Sequence, residues 1–130
     1  MSVTHPRILI VEDSPAMRQL LTLAVKRIPG ALIQQAEDGV EALKLLKEKN
    51  ARYDLVLLDL NMPVMDGMKL LSLIHRDPKL NPRGVCVVPT EHGKDTEVQA
   101  RALGATHFLR KPVNRRQIEI VLAEVLNLGE

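Results

Sequence analysis

The stretch LVLLDLNMPVMDG, residues 55–67, joins a short aliphatic run to a polar loop and the start of a helix. Its first four residues are all apolar, which is typical of a strand covered on both faces. The run ends at Asp59, and Asp66 can cap a helix that begins at Gly67. The stretch therefore predicts a buried strand, a loop with an acidic residue at its start, and a helix that continues to about Arg76.

The same order recurs on both sides of this stretch. Aliphatic runs predict strands at Ile8–Val11 and Val85–Val88, with weaker ones at Ala31–Ile33 and about Thr106–Leu109. Apolar residues at helical spacing, bounded by capping and helix-breaking residues, predict four more helices. The first runs from Pro15 to the break at Pro29-Gly30, and the second from about Gly39 to Lys49. The fourth runs from Lys94 or Asp95 to Gly104, and the fifth follows a cap at Asn114 that pairs with Gln117. Strand and helix alternate five times, which indicates an α/β protein with a doubly wound parallel sheet and helices on both faces.

One of these helices carries an explicit prediction about burial. The second is expected to bury Val40, Leu43 and Leu46, and the fourth carries Val98 and two further apolar residues at helical spacing.

Composition narrows the class of protein. Apolar residues make up 45% and charged residues 26% of 130 residues, which is the balance of one soluble globular domain, here residues 1–130 with a core over about 7–126. The 18 basic and 16 acidic side chains give no strong field for nucleic acid. No apolar stretch approaches the roughly 20 residues of a membrane span, no signal peptide is evident, and the lone Cys86 suits a reducing compartment. We therefore expect a cytoplasmic protein that binds neither nucleic acid nor membrane.

Polar residues follow four of the predicted strands: Glu12 and Asp13 the first, Asp59 the third, Thr90 the fourth and Lys111 the fifth. The carboxyl ends of parallel strands meet at one edge, where ligand sites form. Three carboxylates gathered there would repel one another unless a cation lay among them. Oxygen ligands without His or Cys favour Mg²⁺.

This set of groups suits phosphoryl transfer. A carboxylate beside a metal can attack phosphorus, because the ion offsets the charge of the phosphate, and Asp59 is the candidate nucleophile. Lys111 and Thr90 can stabilise charge on the phosphoryl oxygens from two sides.

The motifs VEDSPAMR, LLDLNMPVMDG, VVPTEHG and ATHFLRKPV resemble the receiver domain of two-component response regulators, of the CheY-like kind, over about Arg7 to Leu126. The resemblance implies a flavodoxin-like fold with strand order 2-1-3-4-5. It also implies a signalling domain, not an enzyme with many turnovers, that takes a phosphoryl group from a histidine kinase or a phosphotransfer protein and changes shape.

The resemblance assigns roles to individual residues. Glu12 and Asp13 become the acidic pair for Mg²⁺, Asp59 the phosphoacceptor and a metal ligand, and Asn61 a metal ligand through its backbone carbonyl. Lys111 becomes the phosphate-binding lysine, with a cis peptide bond to the proline that follows it.

The resemblance also implies a switch that pairs Thr90 with Phe108. Here Glu91 and Pro89 flank the switch hydroxyl, where the family usually has a small residue after it, and like-charge repulsion by Glu91 predicts slow phosphorylation. His92 is expected to act on the water that removes the phosphoryl group.

Partners follow from the resemblance as well. A downstream protein would bind the face formed by the fourth helix, fifth strand and fifth helix, and the chain would be a monomer or a phosphorylation-dependent dimer. Two alternatives stay open: a degenerate receiver that binds its partner without phosphorylation, and an aspartyl-phosphate phosphatase of similar fold. The phosphatase is disfavoured because Asn61 stands where such enzymes carry a second carboxylate, and an amide cannot shuttle a proton.

Overall fold

The computed structural model describes residues 5–62, 65–80, 82–89 and 94–126, and these residues form a parallel sheet between two layers of helices. The strands lie in the order β2-β1-β3-β4-β5, all parallel, which confirms the predicted fold. The elements are β1 (Arg7–Val11), α1 (Pro15–Lys26), β2 (Leu32–Ala36), α2 (Gly39–Lys47), β3 (Leu55–Asp59), α3 (Gly67–Arg76), a 3₁₀ turn (Pro78–Leu80), β4 (Gly84–Val88), α4 (Lys94–Ala102), β5 (His107–Phe108) and α5 (Arg115–Leu126).

The core lies in two layers because successive strand residues point to opposite faces of the sheet. Ile8 and Ile10 of β1 pack with α1 and α5, whereas Leu9 and Val11 pack with α2 and α3. Every residue of β3 is buried, as expected for a central parallel strand. With both faces covered, the edge at the carboxyl ends of the strands is left open for polar residues.

The predicted caps of three helices and the predicted glycine after the fourth are confirmed. Ser14 and Asp66 each accept a hydrogen bond from the backbone amide three residues on, at 3.3 and 2.8 Å. Asn114 and Gln117 exchange side-chain to backbone hydrogen bonds of 2.9 and 3.2 Å, the reciprocal cap expected before α5. Gly104 follows α4 with a φ of 95°, a conformation that suits glycine.

The prediction that Val40 is buried was wrong, and Val98 of α4 is exposed for the same reason. Val40 is 41% exposed and Val98 is 64% exposed. Each lies two residues before the alanine that packs against the sheet, Ala42 in α2 and Ala100 in α4. Two residues turn a helix by about 200°, so a valine at that spacing faces away from the core.

Element boundaries also differ from the expectation. β2 covers Leu32–Ala36 and not 31–33, and it is a largely exposed edge strand. α2 ends at Lys47, because Glu48 is extended, and β5 is only two residues long. Across the ranges given above, no helix is both long and apolar enough to span a bilayer.

Candidate functional site

The acidic pair lies in the turn between β1 and α1. Glu12 is fully buried, its amide donates to the carbonyl of Ala36 at 3.0 Å, and its Oε2 accepts from the amide of Ser14 at 3.1 Å. Asp13 is exposed. The turn therefore places one carboxylate inside the edge of the sheet and the next one at its surface.

Asp59 is the last residue of β3 and is 1% exposed. Its Oδ1 accepts hydrogen bonds from the amide of Asn61 at 2.9 Å and from the ammonium of Lys111 at 3.3 Å. Its Oδ2 is buried and has no hydrogen-bond partner among the described residues. One oxygen is thus held in place while the other is left for a ligand.

Lys111 reaches this carboxylate from the loop after β5. Its amide donates to the carbonyl of Pro89 at 3.1 Å, and its peptide bond to Pro112 is cis, as predicted. Its Nζ lies 3.4 Å from Oε1 of Glu12 as well as 3.3 Å from Oδ1 of Asp59. One ammonium therefore faces both buried carboxylates.

The carboxylates of Glu12, Asp13 and Asp59 each offer an oxygen, and these oxygens lie within 4.8 Å of one another. When all three carboxylates are ionised, their charge exceeds that of Lys111 by about two, which a divalent cation would neutralise. Glu12 Oε1, like Asp59 Oδ2, is buried without a hydrogen bond within the described ranges. Buried oxygens without donors are costly unless a ligand satisfies them, so these residues fit a hard cation such as Mg²⁺.

Crowding shifts the acidities of the site. Burial raises the pKa of Glu12 to about 7, and the nearby carboxylate of Asp59 adds to this, against smaller opposing effects of the Ser14 amide and Lys111. Burial also acts to raise the pKa of Asp13, but its interactions with the neighbouring carboxyl groups, a backbone amide and Lys111 outweigh it and the net shift is downward. The exposed acid is thus the more readily ionised member of the pair.

Of the other residues predicted from the sequence to have a role, some lie within the described ranges and some outside them. Asn61 is exposed beside Asp59, and its backbone amide donates a hydrogen bond to that carboxylate. Phe108 lies on β5, half-buried against the core, with the guanidinium of Arg101 4.5 Å from its ring centre. Thr90, with Glu91 and His92, lies outside the described residues.

At Gly67 the sequence predicts only a turn and a helix cap, and it gives no sign of the backbone contact found there. A β-carbon at this position would lie 2.2 Å from the carbonyl oxygen of Asp59 and 2.6 Å from Cα of Leu60. The start of α3 therefore presses directly on the end of β3. Nothing in the local sequence signals this, because the contact depends on where the helix lies against the strand.

Arg18 was also missed. Its guanidinium donates to the carbonyl of Glu12 at 2.8 Å and lies 3.8 Å from the carboxylate of Glu37. The residue falls four positions after the cap Ser14, so helical spacing could have placed it over the acidic turn.

Comparison with known proteins identifies one family and several relatives that agree with one another. The family described as "Response regulator receiver domain" matches residues 8–123. A chemotaxis protein CheY homolog of Campylobacter jejuni is 31% identical over 95% of this chain and 94% of its own length. A protein-glutamate methylesterase/protein-glutamine glutaminase of Xanthomonas campestris is 40% identical over 84% of this chain. The chain spans only 30% of the length of that relative.

Among solved structures, the phosphorylated cyanobacterial phytochrome response regulator RcpA superposes with a TM-score of 0.86. It is 28% identical, with 97% of each chain covered.

Proposed function

This chain belongs to the response-regulator receiver domain family, and from that premise we propose that Asp59 accepts a phosphoryl group, in a Mg²⁺-dependent reaction, from a histidine kinase or a phosphotransfer protein. The observation that carries the proposal is the buried carboxylate of Asp59, beside two further acids and one ammonium. One of its oxygens is held by two hydrogen bonds, and the other has no hydrogen-bond partner among the described residues. The chain given, residues 1–130, would act as one receiver domain in the cytoplasm.

Each residue of the site would have a separate role in the reaction. An oxygen of Asp59 would form the new bond to phosphorus while the bond from phosphorus to the donor histidine nitrogen breaks, and the histidine would keep that electron pair. Lys111 would bind a phosphoryl oxygen, since its ammonium already lies 3.3 Å from the acceptor carboxylate. Glu12, Asp13, Asp59 and the Asn61 carbonyl would hold Mg²⁺, which when bound would offset the charge of the incoming phosphate. Thr90 would bind a second phosphoryl oxygen.

The output would be a protein contact on the face formed by α4, β5 and α5. A groove of about 430 Å³ lies on this face, and its lining includes Phe108, Arg110 and Ile120. Arg110, in the loop after β5, pairs with Glu97 of α4 at 2.6 Å, so this loop and α4 are joined across the face. Phe108 and Thr90 would form the switch that alters this face, in a monomer or in a dimer formed on phosphorylation.

The test is chemical phosphorylation. The protein is incubated with Mg²⁺ and acetyl phosphate, and intact mass is measured. We expect one acid-stable, base-labile phosphoryl group on the wild type and on Asp77→Asn, a control at the opposite end of the sheet, and none on Asp59→Asn. An unlabelled wild type would refute the proposal.

One alternative keeps a specific observation behind it. Glu91 and Pro89 depart from the family pattern beside the switch hydroxyl, which is what a receiver that has lost phosphorylation would show. A wild type that binds Mg²⁺ but takes no phosphoryl group from acetyl phosphate, and does not change shape with beryllofluoride, would favour this phosphorylation-independent binding module.

A further inference from the structure

Arg18 connects two turns at the edge of the sheet that carries the acids. It lies on α1, and its side chain is 16% exposed. One guanidinium nitrogen donates to the carbonyl of Glu12 at 2.8 Å, and another lies 3.8 Å from the carboxylate of Glu37, which follows β2. The side chain therefore spans from the β1–α1 turn to the β2–α2 turn.

The acidic turn has few other restraints. The amide of Glu12 is held by Ala36, and its carboxylate is held on one side by the amide of Ser14. The hydrogen bond from Arg18 restrains the carbonyl, which belongs to the peptide unit leading into Asp13. Rotation of that peptide would turn Asp13, which is exposed, away from the other two carboxylates.

Two effects of Arg18 on a cation oppose each other. Its positive charge beside the acidic turn disfavours a second cation, whereas its hydrogen bond keeps the acids converged and favours one. The charge is partly offset by Glu37, while the hydrogen bond is short and charge-assisted. The positioning effect should therefore outweigh the repulsion.

We propose that Arg18 is a positioning residue for the divalent-cation site, holding the Glu12–Asp13 turn through the Glu12 carbonyl; this rests on the proposed function, in which those acids bind Mg²⁺. Arg18 touches neither the cation nor the phosphoryl group. Residues that orient metal ligands in this way typically change metal affinity by roughly 10- to 100-fold when replaced.

The experiment compares Mg²⁺ affinities by calorimetry, with Mn²⁺ as a second probe, in the full chain. Arg18→Met removes the charge and the hydrogen bond, and Arg18→Lys keeps the charge without the two-armed contact. Arg115→Met is the matched control, because Arg115 makes an exposed ion pair with Glu119 on α5. We expect roughly 10-fold weaker binding by Arg18→Met, a smaller loss in Arg18→Lys and wild-type affinity in the control.

A second readout uses metal-free protein. Amide hydrogen exchange at Asp13 and Ser14 should be faster in Arg18→Met than in the wild type, with global exchange rates changed little. A purely structural role would lower global stability and leave the affinity of the folded protein unchanged.

Whether Arg18→Met binds Mg²⁺ more weakly or more tightly than the wild type decides between positioning and repulsion. Mg²⁺ binding by Arg18→Met as tight as or tighter than wild type would mean that repulsion dominates, and would overturn the inference alone. Should Arg18→Met fail to fold, wild-type affinity in Arg18→Lys would overturn it. A wild type that binds neither Mg²⁺ nor Mn²⁺ would instead remove the cation site and the proposed function with it.

Discussion

Replacing Gly67 with alanine should disturb the protein at the phosphoacceptor itself. The new β-carbon would lie 2.2 Å from the carbonyl oxygen of Asp59 and 2.6 Å from Cα of Leu60, whereas ordinary contacts begin at 3.4 Å. Both neighbours are backbone atoms, so no side chain can rotate to relieve the clash. The end of β3 and the start of α3 must separate by about 1 Å.

The expected cost follows from two opposing effects. Overpacking of this kind costs roughly 1–3 kcal/mol, occasionally more. Alanine in place of glycine in a helix returns at most about 1 kcal/mol. We expect a net loss of about 2 kcal/mol in the free energy of unfolding, which lowers the melting temperature of a domain of this size by about 8 °C.

Gly39 provides a matched control. Like Gly67, it is the first residue of a helix and follows an aspartate cap, Asp38. A β-carbon there would lie 2.8 Å from Cβ of Met65 and 2.9 Å from its Cγ and Sδ, so a new rotamer relieves part of the clash and the residue must also shift by about 0.6 Å. Because this shift is about half of that required at Gly67, Gly39→Ala should lose less stability than Gly67→Ala.

Urea unfolding followed by circular dichroism measures the stability difference, and intact mass with acetyl phosphate measures phosphorylation. Because a displacement of 1 Å can cost on the order of 100-fold in rate, Gly67→Ala should also be phosphorylated much more slowly. A Gly67→Ala protein that is as stable as Gly39→Ala and phosphorylated at the wild-type rate would refute the argument.

Three further predictions concern charge around the site. In metal-free protein the pKa of Glu12 is raised from 4.5 to about 7, so its contribution to the free energy of unfolding is full below about pH 4.5 and falls by roughly 3 kcal/mol as the pH rises through 7. Urea unfolding at about pH 5 and pH 8 in EDTA should show this loss. Glu12→Gln should abolish the loss, and an equal loss in that variant would contradict the assignment to Glu12. Glu91→Ala should be phosphorylated faster by acetyl phosphate, because the negative charge that follows Thr90 in the chain is removed, and an unchanged rate would count against the repulsion. Arg101→Ala should release the ring of Phe108, 4.5 Å away, at a cost of about 0.5–1 kcal/mol; fluorine NMR of a labelled Phe108 should show faster ring exchange, and an unaltered spectrum would exclude a restraint by Arg101.

Much of the fold could be predicted from local pattern. The buried runs of β1, β3 and β4, the cap at Ser14 and the reciprocal cap of Asn114 and Gln117 are confirmed. Each depends on residues close together in the chain, whose preferences act before any tertiary contact forms. The edge strand β2 was shifted because an exposed strand has no continuous apolar run to mark it.

Chain order places these chemical groups at the strand ends, and parallel strands bring such ends to one edge, so the meeting of Glu12, Asp13, Asp59 and Lys111 could be predicted from the residues. Only the folded molecule shows that Val40 and Val98 face outward, that Gly67 presses on the backbone of Asp59, and that Arg18 holds the carbonyl of Glu12. The physical reason is range: strand ends follow from chain order and sheet direction, whereas contacts of 2 to 4 Å depend on how far each helix is rotated and shifted against the sheet, which only the packing of the whole core sets.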